Sequence, residues 1–430
     1  MQFHVLSFEG PDAYARAGGL ASRAQGLVET LAGLGHETHL WFIGDPAFAG
    51  HEVRDSLHLH RWCQWISAHH PGGVYDGEFG KQADYAQSLP AYLIEQTLEP
   101  YLASGGQAVV LAEEWHTAGA VIQLDALLRA RRLRDRVAVF WNANNVFGFE
   151  RVDWARLAGA AQITTVSRYM KQRMWPLGVD PLVIPNGLAD DCFEPPDPRG
   201  VAALRRSLRE RTILAKMARF DPDKRWLAAI HLVAEMKQRG WKPLLVARGG
   251  VEPQRDEVLG AARRHGLRVV ERSWVRSGAE GLVEALRDVG DADVVELRSH
   301  VDSPSRRVLF RTADAVLANS GHEPFGLVGL EAMAAGGVAC TGCSGEDYAV
   351  PGHNALVLET GDPGEFLGLF SWIRSEPERE RALRRSAAAA ARRYAWPRIV
   401  ERVMLPRVEL HRAVQRVEPP SRAAGSGLGE

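Results

Sequence analysis

Two carboxylates and two cations carry the chemistry that this sequence offers. Glu323 lies within Ala315–Gly337, AVLANSGHEPFGLVGLEAMAAGG, which reads as a strand, a turn and a helix opening at about Phe325-Gly326. The first turn of a helix presents N–H groups without intrahelical acceptors and the positive end of the dipole. The amides near Phe325, Gly326 and Leu327 are therefore placed to hold a phosphate. Glu331 falls inside the otherwise apolar helical stretch LVGLEAMAA. A carboxylate there has a use if it accepts hydrogen bonds from hydroxyls such as those of a ribose. Each glutamate taken singly also has an ordinary explanation, Glu323 as a capping acid and Glu331 as a solvated helix position.

The combination is more specific. Glu323-Pro-Phe-Gly followed by Glu331-Ala-Met-Ala-Ala-Gly resembles the paired-glutamate signature of retaining glycosyltransferases of the family 4 type. That family includes bacterial hexosyl- and mannosyltransferases and sucrose synthases, with glycogen and starch synthases as more distant members. The resemblance implies the fold called GT-B, with two Rossmann-like domains. It implies that Glu323 contacts the hydroxyls of a donor sugar and that Glu331 binds the ribose of its nucleotide. Upstream, KMARFDPDKR at 216–225 reads as a strand running into a turn that presents Arg219 and Lys224 at the carboxyl edge of a sheet. Departure of a nucleoside diphosphate from an anomeric carbon develops negative charge, which two fixed cations there would stabilise. The family's Arg and Lys at this spacing do so without an obligatory metal, so no metal or other cofactor is expected. A surface charge cluster with Asp221, Asp223 and Arg225 is the plain alternative.

The N-terminal half supplies weaker candidates. Gly18 and Gly19 follow the first strand and precede a helical segment, so they allow close backbone approach to a diphosphate. The turn is similar to that of glycogen and starch synthases, although Arg16 and Ala17 stand where a lysine is common, and it is not a GxGxxG fingerprint. His116 closes the strand VVLA within EEWHTA and matches the histidine that, in the related synthases, hydrogen-bonds the donor sugar; Glu114 replaces the usual aspartate before the Trp. Asn142 and Asn144 end another strand and offer amides to acceptor hydroxyls, or equally cap a turn. Cys340-Thr-Gly-Cys343 is a CxxC without a second pair to complete a zinc site, so it reads as small residues packing a loop.

The elements that must position these residues recur through the chain. Short apolar runs bounded by Gly, Asn, Asp or Pro alternate with helical spacing, the pattern of a parallel α/β sheet. Six runs lie in the first half: Phe3–Phe8, Thr38–Ile43, Ala108–Ala112, Val137–Trp141, Ile163–Val166 and Leu182–Ile184. Seven follow: Ile213–Met217, Leu244–Ala247, Val269–Glu271, Val294–Glu296, Ala315–Ala318, Val338–Cys340 and Leu356–Leu358. The Pro-rich EPPDPRG at 194–200 looks like a linker between the sets, and the His- and Trp-rich stretch 44–83 like an irregular insertion. The expectation is an α/β protein with two doubly wound domains facing a central cleft. An acceptor-binding domain spans 1–193 and a nucleotide-sugar-binding domain 194–396. A helix at about 397–415 packs back on the first domain, as the family's counterpart does, and 416–430 is disordered.

Composition bounds the partners. A chain of 430 residues with 52 basic and 53 acidic residues carries a formal net charge of -1, which offers no global field to nucleic acid or an anionic membrane. No run approaches the ~20 apolar residues of a membrane span, although peripheral contact through a surface helix stays open. Four cysteines and an N-terminus without signal-peptide character make the cytoplasm the expected compartment. The resemblance then implies a retaining hexosyltransferase using a UDP-, ADP- or GDP-hexose, with glucose as the first choice. It would form an α-glycosidic bond to a sugar, glucan or other hydroxylated acceptor, by attack on the face from which the diphosphate leaves. A GT-B epimerase or phosphorylase, or a nucleotide-sugar-binding protein without activity, is the alternative.

Overall fold

The computed structural model describes residues 1–417. The chain forms two compact units, Met1–Val166 with Met170–Gly187 and the segment from Trp396, and Leu188–Ala395 with Ser167–Tyr169.

The first unit is built on an eight-stranded sheet of order β3-β4-β2-β1-β5-β6-β7-β8. Its strands are β1 (Gln2–Leu6), β2 (Glu37–Ile43), β3 (His51–Arg54), β4 (Leu57–Trp62), β5 (Ala108–Glu113), β6 (Val137–Ala143), β7 (Gln162–Thr165) and β8 (Leu182–Val183). All pairings are parallel except β3 with β4. β1, β5 and β6 are buried along their whole length, which is why they read as largely apolar runs. The insertion expected at 44–83 is instead largely ordered: it holds the β3–β4 hairpin, which extends the sheet, and the start of the helix Glu78–Leu93. The alternating positions His58, His60 and Trp62 of the hairpin are polar or aromatic, not the aliphatic residues that mark a strand; His60 and Trp62 pack beside Trp41, and His58 stacks on His39.

The second unit has a seven-stranded, wholly parallel sheet of order β11-β12-β10-β9-β13-β14-β15. These strands are β9 (Thr212–Met217), β10 (Pro243–Arg248), β11 (Val269–Arg272), β12 (Val294–Leu297), β13 (Ala315–Ala318), β14 (Ala339–Thr341) and β15 (Leu356–Val357). In each sheet the strand order reverses beside its first strand, between β1 and β5 and between β9 and β13. An open parallel sheet binds ligands at the carboxyl ends of strands at such a switch point. The loops after β1, β5, β9 and β13 are thereby singled out before any side chain is considered.

The Pro-rich stretch 194–200 does not act as the linker. Asp197 caps the helix Pro198–Ser207 through the amides of Arg199 and Gly200, and Arg307 Nη2 donates to Glu194 Oε2 at 2.6 Å. Proline at the first helical position starts a helix rather than prolonging a loop. The chain crosses between the units earlier, at Gly187–Leu188, and returns at Trp396. Trp396 seals the first unit: its indole lies so close to Gly26 and Gly187 that a Cβ on either would fall 2.2 or 2.4 Å from it, and Arg23 sits 5.6 Å over its ring. The tail expected to be disordered, 416–430, lies outside the described residues apart from its first two positions, which end the helix Leu405–Val417.

Cys340 is buried in the core of the second unit, whereas Cys343 is exposed in the loop that follows, and both are free. Only the first therefore fits the reading of this CxxC as buried packing.

Trp396→Ala should destabilise the first unit by about 3–5 kcal/mol, since it empties a fully enclosed aromatic site. Urea unfolding followed by circular dichroism measures this, and a loss below about 1 kcal/mol would show that the returning segment does not hold the unit together.

Candidate active site

The loops after β9 and β13 are fastened to one another by backbone. Gly321 N–H donates to Asp223 C=O at 2.6 Å. The β9 loop is rigid for local reasons. Asp221 accepts the amide of Asp223, the Trp226 indole donates to Arg219 C=O at 2.7 Å, and Phe220 packs 4.6 Å from Trp226. Glu252 accepts the amides of Phe220 and Gly250, binding the loop after β10 to the same turn.

The β13 loop is latched to the loop after β14. Ser344 Oγ accepts Glu323 N–H at 2.8 Å, and Gly345 N–H donates to Glu323 C=O at 2.9 Å. Gly345 admits no side chain, because a Cβ there would lie 2.2 Å from Pro324 C=O. Gly326, at φ 77°, turns the chain into the helix Leu327–Ala334, and the Tyr348 hydroxyl donates to its carbonyl. The first turn of that helix leaves amides open at the end of β13.

These constraints bring Lys224 Nζ to 2.5 Å from Glu323 Oε2, with each side chain 19% exposed. The pair is accessible to a ligand yet shielded enough for its charges to count. Arg219 is exposed beside it in sequence, and its side chain makes no hydrogen bond or ion pair among the described residues. Phe325 is buried, its ring packed 5.8 Å from Tyr348 and 5.9 Å from Tyr394, so only its backbone faces chemistry. Glu331 lies 3.5 Å from Arg306 Nη1, and burial pushes its carboxyl above the usual range.

Two buried groups beneath the site were not apparent from the sequence. Lys216 donates to Leu317 C=O at 3.1 Å; burial first, then the charges of Lys224 and Arg225, lower it to about 7. Glu346 accepts the Ser344 amide while its other oxygen has no partner among the described residues, and burial raises it to about 7. Nothing in a one-dimensional motif marks either, since each depends on what folds over it.

In the first unit the glycine turn does form an anion cradle, and the chain fills it. Glu9 Oε2 accepts the amides of Ala17, Gly18 and Ala21 at 3.2, 2.9 and 3.2 Å, while its Oε1 accepts the Tyr75 hydroxyl at 2.6 Å. No atom lies within 4 Å of a Cβ on Gly19. His116 is buried, stacked 4.3 Å from Phe8, with Nε2 2.7 Å from Glu78 Oε1 and Nδ1 without a partner among the described residues. Burial lowers its pKa against the pull of Glu78.

Asn142 does not offer its amide to an acceptor. Its Nδ2 donates to Glu113 Oε2, its Oδ1 accepts the Thr164 hydroxyl, and it is 4% exposed. The cause is Glu113, a buried carboxylate that also takes Asn144 Nδ2 and an ion pair with Arg23 at 2.9 Å. Asn144 thus spends its donor internally and keeps a buried Oδ1.

Residues 205–390 match the family model described as Glycosyl transferases group 1. The matched stretch contains Arg219, Lys224, Glu323 and Glu331 and both loops of the β9–β13 switch point. Among curated proteins, the D-inositol 3-phosphate glycosyltransferase of Thermomonospora curvata is 30% identical over 131 residues, 30% of this chain. The chain spans 30% of that relative's length. Sucrose-phosphate synthase from Thermosynechococcus elongatus has a TM-score of 0.64 at 18% identity, covering 97% of this chain and 100% of that one. The Anabaena HepE protein in complex with UDP and glucose has a TM-score of 0.60 at 15% identity, covering 95% and 100%. At these identities the likeness establishes the fold, GT-B, which the paired-glutamate motif implies. No helix among the described residues is long and apolar enough to cross a membrane.

Glu114 provides a test of the first unit's electrostatics. Held at φ 68°, it accepts Asn144 N–H at 2.8 Å and Asn145 Nδ2 at 3.2 Å, and burial with the charge of Glu113 raises it to about 8. The folded protein then keeps a proton that the unfolded chain releases near pH ~4.3, so Glu114 makes stability fall as pH rises between those values. Glu114→Gln should remove that slope, stabilising the protein more at pH 8 than at pH 5. Equal effects in urea melts at both values would contradict a buried, protonated Glu114.

Proposed function

We propose that the chain is a retaining hexosyltransferase that moves a hexose, glucose first, from a nucleoside-diphosphate sugar to an acceptor hydroxyl with an α bond. The observation that carries this is the Lys224–Glu323 contact at the β9–β13 switch point, with Arg219 uncommitted nearby and a helix N-terminus opening beside it. In this reading the diphosphate takes the open amides from Gly326 onward together with Lys224 and Arg219. These cations meet the charge that grows on the leaving phosphate, with no obligatory metal.

Glu323, released from Lys224, accepts hydrogen bonds from the sugar hydroxyls, and Glu331 accepts those of the ribose. His116 offers its bare Nδ1 to a sugar hydroxyl. The diphosphate role first expected of Gly18 and Gly19 passes to the second unit, since Glu9 already holds the turn's amides. Retention follows if the acceptor attacks from the side on which the phosphate leaves, its proton passing to a phosphate oxygen. UDP is the first nucleotide to test because HepE is described with UDP and glucose. An inositol phosphate joins the acceptor panel on the strength of the relative's name.

A screen of nucleotide-sugars against acceptors, read by NMR, should give one α-linked product in the presence of EDTA. Lys224→Ala and Glu323→Ala should each lower kcat by about 10²–10³-fold, the cost of one transition-state contact. A β product would overturn retention, an epimer formed from donor alone would favour an epimerase, and unchanged kcat in both variants would remove the site assignment.

A further inference from the structure

The site in the second unit leaves unexplained a group of histidines on the edge of the first unit's sheet. His58 and His60, two apart on β4, project to one face. The parallel register sets His39 of β2 opposite His58, and the antiparallel register sets His51 of β3 opposite His60. His39 Nδ1 lies 3.0 Å from His60 Nε2, and one ligand atom from each of His39, His58 and His60 fits within 4.8 Å of the others. The edge between two nitrogens of a tetrahedral zinc site is ~3.4 Å, from bonds of 2.0–2.1 Å. We propose that His39, His58 and His60 bind a divalent late first-row transition ion, zinc foremost, as a staple across β2 and β4.

The surroundings have the features such a site needs. Glu37 Oε1 lies 3.2 Å from His39 Nε2 and itself receives Gln2 Nε2 at 2.8 Å. A carboxylate on the far nitrogen fixes the tautomer in which Nδ1 presents a lone pair, the arrangement that orients ligating histidines. Trp41, stacked 3.7 Å from His60, holds that ring in place. His4, stacked 4.7 Å from His39, is excluded as a ligand because Gln2 and the Trp41 indole occupy both its nitrogens. A cavity of about 500 Å³ opens over the group, bordered by Glu37, His51 and Tyr92, and exposed His51 stands at its rim as a candidate fourth ligand.

Hydrogen bonding and stacking among the imidazoles alone would also fill this face, and the two accounts differ in what the protein retains. Chelator-treated full chain is mixed with zinc sulfate, passed through a desalting column and assayed by elemental analysis, with cobalt(II) absorption as a second readout. We expect about one ion per chain, a raised melting temperature, and the visible bands of cobalt in tetrahedral nitrogen coordination. His58→Gln with His60→Gln should abolish all three, and Glu37→Gln should weaken zinc binding about 10–100-fold without changing stoichiometry. His353→Gln, at an exposed loop position, should bind like the parent. Circular dichroism of the double variant separates ligand loss from unfolding, and the single His58→Gln must by itself change the cobalt spectrum. Absence of retained zinc in the parent, or an unaltered cobalt spectrum in His58→Gln, would overturn the proposal.

Discussion

The second unit is organised around an ion pair that two loops deliver from opposite sides of a reversal in strand order. Lys224 comes from the loop after β9 and Glu323 from the loop after β13, adjacent strands whose chains depart in opposite directions. Neither side chain could hold its place on a free loop, because ordering a long lysine costs up to ~2 kcal/mol in rotamer entropy. The backbone bond from Gly321 to Asp223, the Trp226 indole on Arg219 and the Ser344 latch on Glu323 meet that cost during folding. Packing is thereby converted into chemistry: Gly345 and Gly326 are required by the close approach that the latch demands, and the half-buried pair inherits their rigidity.

The first unit solves a related problem with its own carboxylates. Its switch-point loops also aim amides and side chains at one place, but Glu9 fills the glycine cradle and Glu113 gathers Arg23, Asn142 and Asn144. Buried charges require several partners, and here they take the very groups that the sequence offered to a ligand. His116 retains one ring nitrogen, and Asn144 its Oδ1, without a partner among the described residues.

Much of this was legible in the sequence where the physics is local or periodic. All thirteen expected runs are strands to within a few residues, because most are buried parallel strands and read as largely apolar runs. Glu323 and Lys224 were legible because motif order places both at strand ends. The hairpin at 51–62 was hidden by histidines that line an open cavity, where alternating aliphatic residues would have marked a strand, and the supposed linker by a proline that starts a helix. Lys216, Glu346 and Glu9 were illegible for a different reason. A buried charge is recognised by what surrounds it, and those neighbours lie up to about a hundred positions away, as Leu317 does from Lys216.

The account turns on the claim that a diphosphate competes with Glu323 for Lys224. Calorimetric titration of UDP into the full chain, Lys224→Ala and Glu323→Gln tests this most directly. The parent should bind, and Lys224→Ala should bind at least ~10-fold more weakly, a difference of about 1.4 kcal/mol. Glu323→Gln, with its lysine freed, should bind UDP as tightly as the parent or more so. Parent-like affinity in Lys224→Ala, or UDP binding lost in Glu323→Gln, would contradict it.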